Sequence, residues 1–199
     1  MALILPKNYH KLAAVERNGI SWIEPELAER QDIRPLRIGI VNIMPLGMQY
    51  EFNLLHPLGL SPLQIEPVWI RLKTHDYKTW DHEHLNHQYC SWDQANAASS
   101  LDGLIITGAP VEHLAYEQVT YWQEMVELVE IARSQCASTL GLCWAGFALA
   151  YLAGVDKSAF NQKLFGVVPM RSLKPGHALM GTQDDIFVCP QSRHAGLDD

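Results

Sequence analysis

The chain has 199 residues and a mass of 22.5 kDa, and its 15 Lys and Arg residues against 22 Asp and Glu give a formal net charge of −7. This length predicts a single domain, which buries roughly 70% of the surface that the unfolded chain exposes. Hydrophobic residues make up 48% and charged residues 19%, a composition typical of a globular protein rather than a disordered one. Because the basic residues are few and scattered, we expect neither nucleic-acid binding nor a polybasic membrane contact.

The chain predicts strands that alternate with helices. Residues 1–35 are weakly patterned and punctuated by prolines, so we expect an N-terminal extension there and an α/β domain over residues 36–199. Strands are predicted at 36–43, 63–72, 101–110, 138–142, 164–168 and 186–189. Helices are predicted at 48–55, 119–129 and 144–152, the last closed by Gly154. Pro67, inside the second predicted strand, suggests a bulge or an edge position.

Alternating strands and helices imply an open, mostly parallel α/β sheet flanked by helices, a three-layer sandwich with right-handed crossovers. Ligands bind such sheets beyond the carboxyl ends of the strands. The turns after Ile43, Ile106 and Leu142 would open onto that edge. The functional crevice is therefore expected at these three turns.

The four cysteines are far apart and never form a Cys-x-x-Cys pair, which indicates free thiols and a cytoplasmic protein rather than a zinc or disulfide scaffold. The uncharged stretch 134–155 is long enough to cross a bilayer. Its Ser, Thr, Gln and Gly residues favour division into a strand, a turn and a helix instead. We therefore expect no membrane association.

The sharpest local motif is Gly141-Leu142-Cys143-Trp144-Ala145-Gly146, in which a strand ending in Gly-x-Cys passes directly into a helix. Small flanking residues allow the strained turn that exposes a nucleophile, and the helix N-terminus lowers the pKa of a thiol there. Backbone N–H groups at this terminus, that of Trp144 first, could bind a developing oxyanion. The alternative is that Cys143 is a small buried core residue.

Several blocks resemble a known family. Arg37-Ile-Gly-Ile-Val-Asn-Ile-Met-Pro45, Ser61-Pro-Leu-Gln-Ile-Glu66, Asp102-Gly-Leu-Ile-Ile-Thr-Gly-Ala-Pro-Val-Glu112, Tyr121-Trp122, Cys143-Trp144 and Ser192-Arg193-His194 occur in the order seen in the homoserine O-acyltransferases of the homoserine O-succinyltransferase type. The likeness extends from about Gln31 to Asp199. It implies the class I glutamine-amidotransferase-like (flavodoxin-like) fold.

The resemblance also implies an activity: acyl transfer from an acyl-CoA to the hydroxyl of homoserine, an early step of methionine biosynthesis, with no bound cofactor. Cys143 matches the nucleophile that carries the acyl group as a thioester, while Lys163, Ser192 and Arg193 match or adjoin substrate-binding positions. Glu112 falls where the family selects its donor, glutamate going with acetyl-CoA and glycine with succinyl-CoA. The family's enzymes are commonly dimers, which makes a homodimer an expectation here.

The chain departs from the family pattern at three places. Leu46 and Gly47 stand where a lysine is usual, and Phe147 stands where a glutamine is usual. The family's base lies in a His-Pro-Glu segment that does not occur in these 199 residues, which leaves His113 or His194 as alternatives. We expect a fragment of a longer enzyme, the alternative being a shortened relative that only binds a ligand or a partner.

The departures also leave other functions open. An acyltransferase that uses another hydroxyl acceptor, such as serine, would fit the changes at Gly47 and Phe147. A glutamine-amidotransferase-like hydrolase would share the strand-to-helix turn that carries Cys143, although the blocks around Pro45 and Glu112 fit this class of enzyme less well.

Histidines and acidic residues crowd the segment between positions 75 and 90. Imidazoles and a thiolate at such spacing could hold zinc. However, His84-Leu85 and Tyr89 fall where the family has a similar pattern without metal, so no metal site is expected. The residues concerned are His75, Asp76, Asp81, His82, Glu83, His84, His87 and Cys90.

Overall fold

The computed structural model describes residues 2–197 and contains a parallel sheet with helices on both faces. The strands are β1 (Leu3–Ile4), β2 (Trp22–Ile23), β3 (Leu36–Val41), β4 (Ile65–Ile70), β5 (Gly103–Ile106), β6 (Ser138–Gly141), β7 (Lys157–Arg171) and β8 (Ile186–Leu197). The helices are α1 (Leu12–Arg17), α2 (Pro25–Ala28), α3 (Gly47–Gly59), α4 (His82–Gln88), α5 (Trp92–Ala98), α6 (Trp122–Gln135) and α7 (Trp144–Leu152). Single 3₁₀ turns occupy Tyr116–Gln118 and Ala178–Met180.

Six strands pair in the order β2-β1-β4-β3-β5-β6, all parallel. Side chains that alternate along each strand face two separate cores. In β3, Ile40 packs with Leu55 of α3 on one face, whereas Val41 packs with Met125 of α6 and Trp144 of α7 on the other. The predicted three-layer α/β sandwich is therefore confirmed.

Residues before position 36 belong to the same sheet. Leu3 pairs with both Trp22 and Ile65, so β1 and β2 extend the sheet beyond β4. The chain division at residue 35 stays a prediction, but the segment before it is joined to the sheet rather than appended to it.

Pro67 lies in the middle of β4 and pairs in regular register with Ile38 of β3. The Ile65 amide donates to Ala2, away from β3, and Pro67 two residues later faces the same side. Because β1 pairs with β4 only at Ile65, no strand within the described residues 2–197 meets the proline nitrogen. Pro67 therefore occupies the equivalent of an edge position, without a bulge.

The last two predicted strands do not join the parallel sheet. β7 and β8 are longer than predicted and form a separate antiparallel ribbon, with a register shift between Ala159 and Leu164. The expectation that all strands form one open sheet is wrong for this pair, because a connection of only fourteen residues returns the chain antiparallel without a crossover helix.

The helix predictions agree better with the structure. α7 has the predicted bounds, and Gly154 just beyond it has φ of +88°, the left-handed conformation expected of a closing glycine. Four helices, α1, α2, α4 and α5, were not predicted. Within residues 2–197, no helix combines the length and apolar character needed to span a membrane.

Candidate active site

Cys143 occupies the turn between β6 and α7, with φ of +57° and ψ of −120°. Within residues 2–197, only Cys143 and Leu46 adopt positive φ without being glycine, a strained conformation that clusters at functional sites. The turn needs Gly141, because a Cβ there would lie 2.6 Å from the carbonyl oxygen of Ala145. The thiol is exposed, so the alternative that Cys143 is a buried core residue is wrong.

The backbone amide of Trp144 is free at the start of α7. It has no hydrogen-bond acceptor within residues 2–197, whereas the Gly146 amide donates to the Cys143 carbonyl at 3.0 Å. A Cβ placed on Gly108 would lie 2.9 Å from Cys143 Sγ and 3.2 Å from the Trp144 nitrogen. The small space over Gly108 thus borders both the thiol and an unpaired donor, which is the arrangement that an oxyanion requires.

A cavity of about 370 Å³ opens beside Cys143. It lies beyond the carboxyl ends of β3, β5 and β6, as the sequence predicts, and β8 closes one side. Its wall is largely apolar, with one carboxylate, one guanidinium and one imidazole. The lining residues are Met44, Pro45, Leu46, Tyr50, Gly108, Ala109, Pro110, Glu112, Cys143, Trp144, Phe147, Arg193, His194 and Ala195.

The two alternative bases lie side by side at the rim. The rings of His113 and His194 are 5.6 Å apart, and Nε2 of His113 is 3.6 Å from Oε1 of Glu112. His194 lines the cavity, whereas the His113 side chain is 68% exposed and is not part of the lining. The structure therefore brings His194, rather than His113, to the cavity that holds Cys143.

A lysine contacts the segment that follows Glu112. The Lys157 ammonium donates to the Leu114 carbonyl at 2.6 Å and lies 4.5 Å from the centre of the Tyr116 ring. Burial lowers the pKa of Lys157, and the nearby carboxylates of Asp156 and Glu112 partly oppose that shift. This contact joins the start of β7 to the segment that follows Glu112.

The three predicted substrate-binding residues do not come together. Arg193 lines the cavity, its guanidinium carbon lies 5.5 Å from the Phe160 ring centre, and its buried Nε has no partner within residues 2–197. Lys163 and Ser192 are exposed on the β7–β8 ribbon outside the cavity lining, with the Lys163 ammonium 5.4 Å from the Phe165 ring centre. A role for these two in substrate binding stays a prediction.

The Trp80 side chain occupies the space beside Gly47, one of the two positions after Met44-Pro45 where a lysine is usual in the family pattern. Any side chain at Gly47 would overlap the Trp80 ring, whose Nε1 donates to the Met44 carbonyl at 2.9 Å. The indole fills the space that a side chain at position 47 would need. With Trp80 in this place, position 47 accommodates no side chain, the lysine of the family pattern included.

Two buried polar residues hold the turns of the cavity, and sequence reasoning missed both. The Thr107 hydroxyl accepts from the Ile43 amide at 2.9 Å and donates to Asn42 Oδ1 at 3.4 Å. Asn42 Oδ1 also accepts from the Met44 amide at 3.3 Å, and Nδ2 donates to the Gly47 carbonyl at 3.2 Å. The sequence signal that could have identified them is a polar residue directly after an apolar strand, Asn42 after β3 and Thr107 after β5.

Comparison with solved structures supports the fold class. A protein from Thermoplasma acidophilum that is described as a GMP synthase subunit superposes with a TM-score of 0.51 at 14% identity, covering 82% of this chain and 67% of that chain. At this identity the likeness concerns the fold alone. Together with the parallel sheet, it shows a glutamine-amidotransferase-like α/β architecture.

Sequence comparison identifies the family. The profile of the family described as homoserine O-succinyltransferase matches residues 2–199, and the chain belongs to this family. Proteins named homoserine O-acetyltransferase from Bacteroides thetaiotaomicron and Bacteroides fragilis are 40% identical over 195 residues, 98% of this chain and 64% of each relative. The protein of that name from Streptococcus pneumoniae is 41% identical over 191 residues, 94% of this chain and 60% of the relative. The chain thus spans less than two thirds of the length of these relatives.

Proposed function

We propose that this chain carries the nucleophile and the acyl pocket of a homoserine O-acyltransferase that forms a thioester on Cys143. The observation that carries the proposal is the exposed thiol on a strained turn, bordered by the free Trp144 amide and open to a cavity. Membership of the family and the names of the relatives support the same reaction class.

In the first half-reaction, the Cys143 thiolate attacks the carbonyl carbon of the acyl-CoA thioester. The Trp144 amide is positioned to donate to the resulting oxyanion, and loss of one oxyanion-hole donor typically costs about 2.7–4 kcal/mol in the transition state. The intermediate collapses with release of CoA thiolate, which takes up a proton. The acyl group is then held on Cys143 as a thioester.

In the second half-reaction, the homoserine hydroxyl attacks the Cys143 thioester and the cysteine thiolate leaves. The hydroxyl proton must pass to a base. Within residues 2–197, His194 is the imidazole at the cavity, so we assign it this role when the chain acts alone. Arg193 lines the cavity, and its guanidinium suits the carboxylate of the amino-acid acceptor, which guanidinium groups bind through paired hydrogen bonds.

The donor is proposed to be acetyl-CoA. Glu112 contributes the carboxylate of the cavity wall, and the terminal carboxylate of a succinyl group would approach it with like charge. Two such charges about 4 Å apart repel by about 4 kcal/mol near a protein surface. Roles for Lys163 and Ser192, and a homodimer, rest on the family resemblance alone.

The changes at Gly47 and Phe147 make the acceptor the least constrained part of the proposal, with serine as the alternative to homoserine. Phe147 adds an aromatic side chain to the cavity, and Trp80 closes the space beside Gly47. Assays with both acceptors therefore belong in the test.

The test measures O-acylated amino acid by mass spectrometry, with acetyl-CoA or succinyl-CoA and with homoserine or serine. Wild type is expected to prefer acetyl-CoA. Glu112→Gln, which keeps the shape and removes the charge, should raise the succinyl-to-acetyl rate ratio by about tenfold or more, since 1.4 kcal/mol corresponds to tenfold. An unchanged ratio in Glu112→Gln would refute the electrostatic basis of donor choice, and hydrolysis of glutamine instead would refute acyl transfer.

A further inference from the structure

A second cluster of reactive side chains lies outside the cavity. His10 follows β1, Glu51 lies in α3 and His84 lies in α4, so three separate elements contribute to it. Nε2 of His84 is 2.7 Å from Oε1 of Glu51, and Nε2 of His10 is 3.4 Å from Oε2. The nitrogen and oxygen atoms of the three groups all lie within 4.8 Å of one another.

Glu51 is a fully buried carboxylate, with 0% of its side chain exposed. Tyr9 donates to Oε2 at 2.7 Å and Tyr89 donates to Oε1 at 2.9 Å. Within residues 2–197, no lysine or arginine forms an ion pair with it, so none of its contacts carries a permanent positive charge. Burying a carboxylate is costly unless a cation pairs with it or it binds a metal.

We propose that His10, Glu51 and His84 bind one divalent transition-metal ion of the zinc type. Two imidazoles and one carboxylate form a ligand set that zinc and similar ions use, usually completed by water. The His10 side chain is 28% exposed and the His84 side chain 13%, so solvent and ions can reach the cluster from the histidine side.

The separations suit an ion of this size. Tetrahedral zinc with bonds of about 2.0–2.1 Å holds its ligand atoms about 3.3 Å apart. Nε2 of His10 is already near that separation from Oε2 of Glu51, at 3.4 Å. Nε2 of His84 lies 2.7 Å from the other oxygen, Oε1, and must move away by about 0.6 Å where the ion binds that oxygen. The ion takes the place of the proton between Nε2 of His84 and Oε1 of Glu51, and the imidazole then ligates in its neutral form with a proton on Nδ1.

The surroundings resemble the outer shell of a metal site. Ligating carboxylates are commonly held by further hydrogen bonds, the part that Tyr9 and Tyr89 play at Glu51. The bound ion would join the segment after β1 to α3 and α4. The ion would therefore have a structural role, which does not depend on the acyl-transfer proposal. This proposal replaces the sequence-based expectation that the chain has no metal site.

The test is calorimetric titration of the untagged, chelator-treated chain with Zn²⁺. We expect one ion per chain, with affinity reduced at least tenfold in His10→Ala and in Glu51→Gln. His87→Ala is the matched control, because His87 is an exposed histidine on α4, the helix that carries His84. Within residues 2–197 it bonds only to the Glu83 carbonyl, so this variant should bind zinc as wild type does. Circular dichroism of each variant checks that it is folded.

Substitution of Co²⁺ for Zn²⁺ gives an independent result on the wild-type chain, whether or not the variants fold. Nitrogen and oxygen ligation predicts visible d–d absorption without the near-ultraviolet charge-transfer band of a thiolate ligand. A thiolate band, no stoichiometric binding, or binding that His10→Ala leaves unchanged would each overturn the proposal. Acylation of Cys143 plays no part in these readouts, so the two proposals fail separately.

Discussion

Replacing Gly108 by alanine tests the close approach that gives Cys143 its position. The new Cβ would lie 2.6 Å from the Cys143 Cβ and 2.9 Å from Sγ, whereas ordinary contacts begin at 3.4 Å. The thiol and the added methyl group must therefore separate by 0.5–0.8 Å (3.4 − 2.9 and 3.4 − 2.6). A misplacement near 1 Å costs about 100-fold in rate, so we expect acylation of Cys143 to slow by about 10- to 100-fold.

The assay follows the mass of the intact chain over time after mixing with acetyl-CoA. Gly103→Ala, at the start of the strand that leads to Gly108, is the matched control. Its Cβ would meet the flexible end of Ile38 at 3.2 Å and the Ser138 carbonyl oxygen at an ordinary 3.6 Å, so this variant should acylate almost as fast as wild type. Urea unfolding distinguishes a misplaced thiol from a destabilised fold, since overpacking lowers the free energy of unfolding by about 1–3 kcal/mol. Wild-type acylation by a folded Gly108→Ala chain would refute the role of this contact.

Three further changes test the rest of the site and the sheet. Gly141→Ala drives a Cβ into the backbone at the start of α7 and should lower the free energy of unfolding by about 1–3 kcal/mol in urea, with loss of acylation. Thr107→Val removes a buried hydroxyl that bonds two turns and should cost about 1–3 kcal/mol, an unchanged unfolding midpoint being the contrary result. Burial opposes ionisation of Asp102, but hydrogen bonds from Arg34 and the Arg37 amide hold the pKa of Asp102 below 3.8. A carboxylate whose pKa is lower in the folded state stabilises the fold while it is ionised, and this contribution is lost as the pH falls from the unfolded-state pKa through the folded-state pKa. Asp102→Asn should therefore lower the free energy of unfolding by about 1 kcal/mol at neutral pH, and its difference from wild type should disappear as the pH falls below about 4.

The strand-to-helix turn that carries Cys143 could be predicted from the sequence because its constraints are local. A strand that ends in Gly141, a cysteine two residues later and a helix-forming run after it leave little freedom for the backbone. The predicted bounds of α7 and the exposed thiol of Cys143 agree with the structure for this reason. Arg193 and His194 also reach the cavity, but only the paired ribbon β7–β8 brings them there, and local patterning does not specify that pairing.

The polar connection before β5 hid two helices whose start signals were present in the sequence. Asp81 accepts from the backbone amides of Glu83 and His84 at the start of α4, and Ser91 forms a capping box with Gln94 at the start of α5. The many histidines of this segment directed attention to metal binding, and no helix was predicted from these caps. Cap residues followed by short helical runs are the better guide in segments of this kind.

Contacts between distant segments were beyond prediction. Glu51 meets His10 and His84 only because the sheet places β1 beside β4 and so brings the N-terminal segment against α3. Weak patterning before residue 36 indicated a loose extension, since strands of two residues carry almost no periodicity. Tertiary pairing, rather than local propensity, determines this part of the fold.

The most direct test of the thioester proposal is the intact mass of the chain after exposure to acetyl-CoA and, separately, to succinyl-CoA. We predict a single acyl adduct, formed faster from acetyl-CoA, absent in Cys143→Ser and released by hydroxylamine as a thioester should be. An adduct that persists in Cys143→Ser, or a wild-type chain that takes up no acyl group from either donor, would contradict the assignment of Cys143 as the acyl-carrying nucleophile.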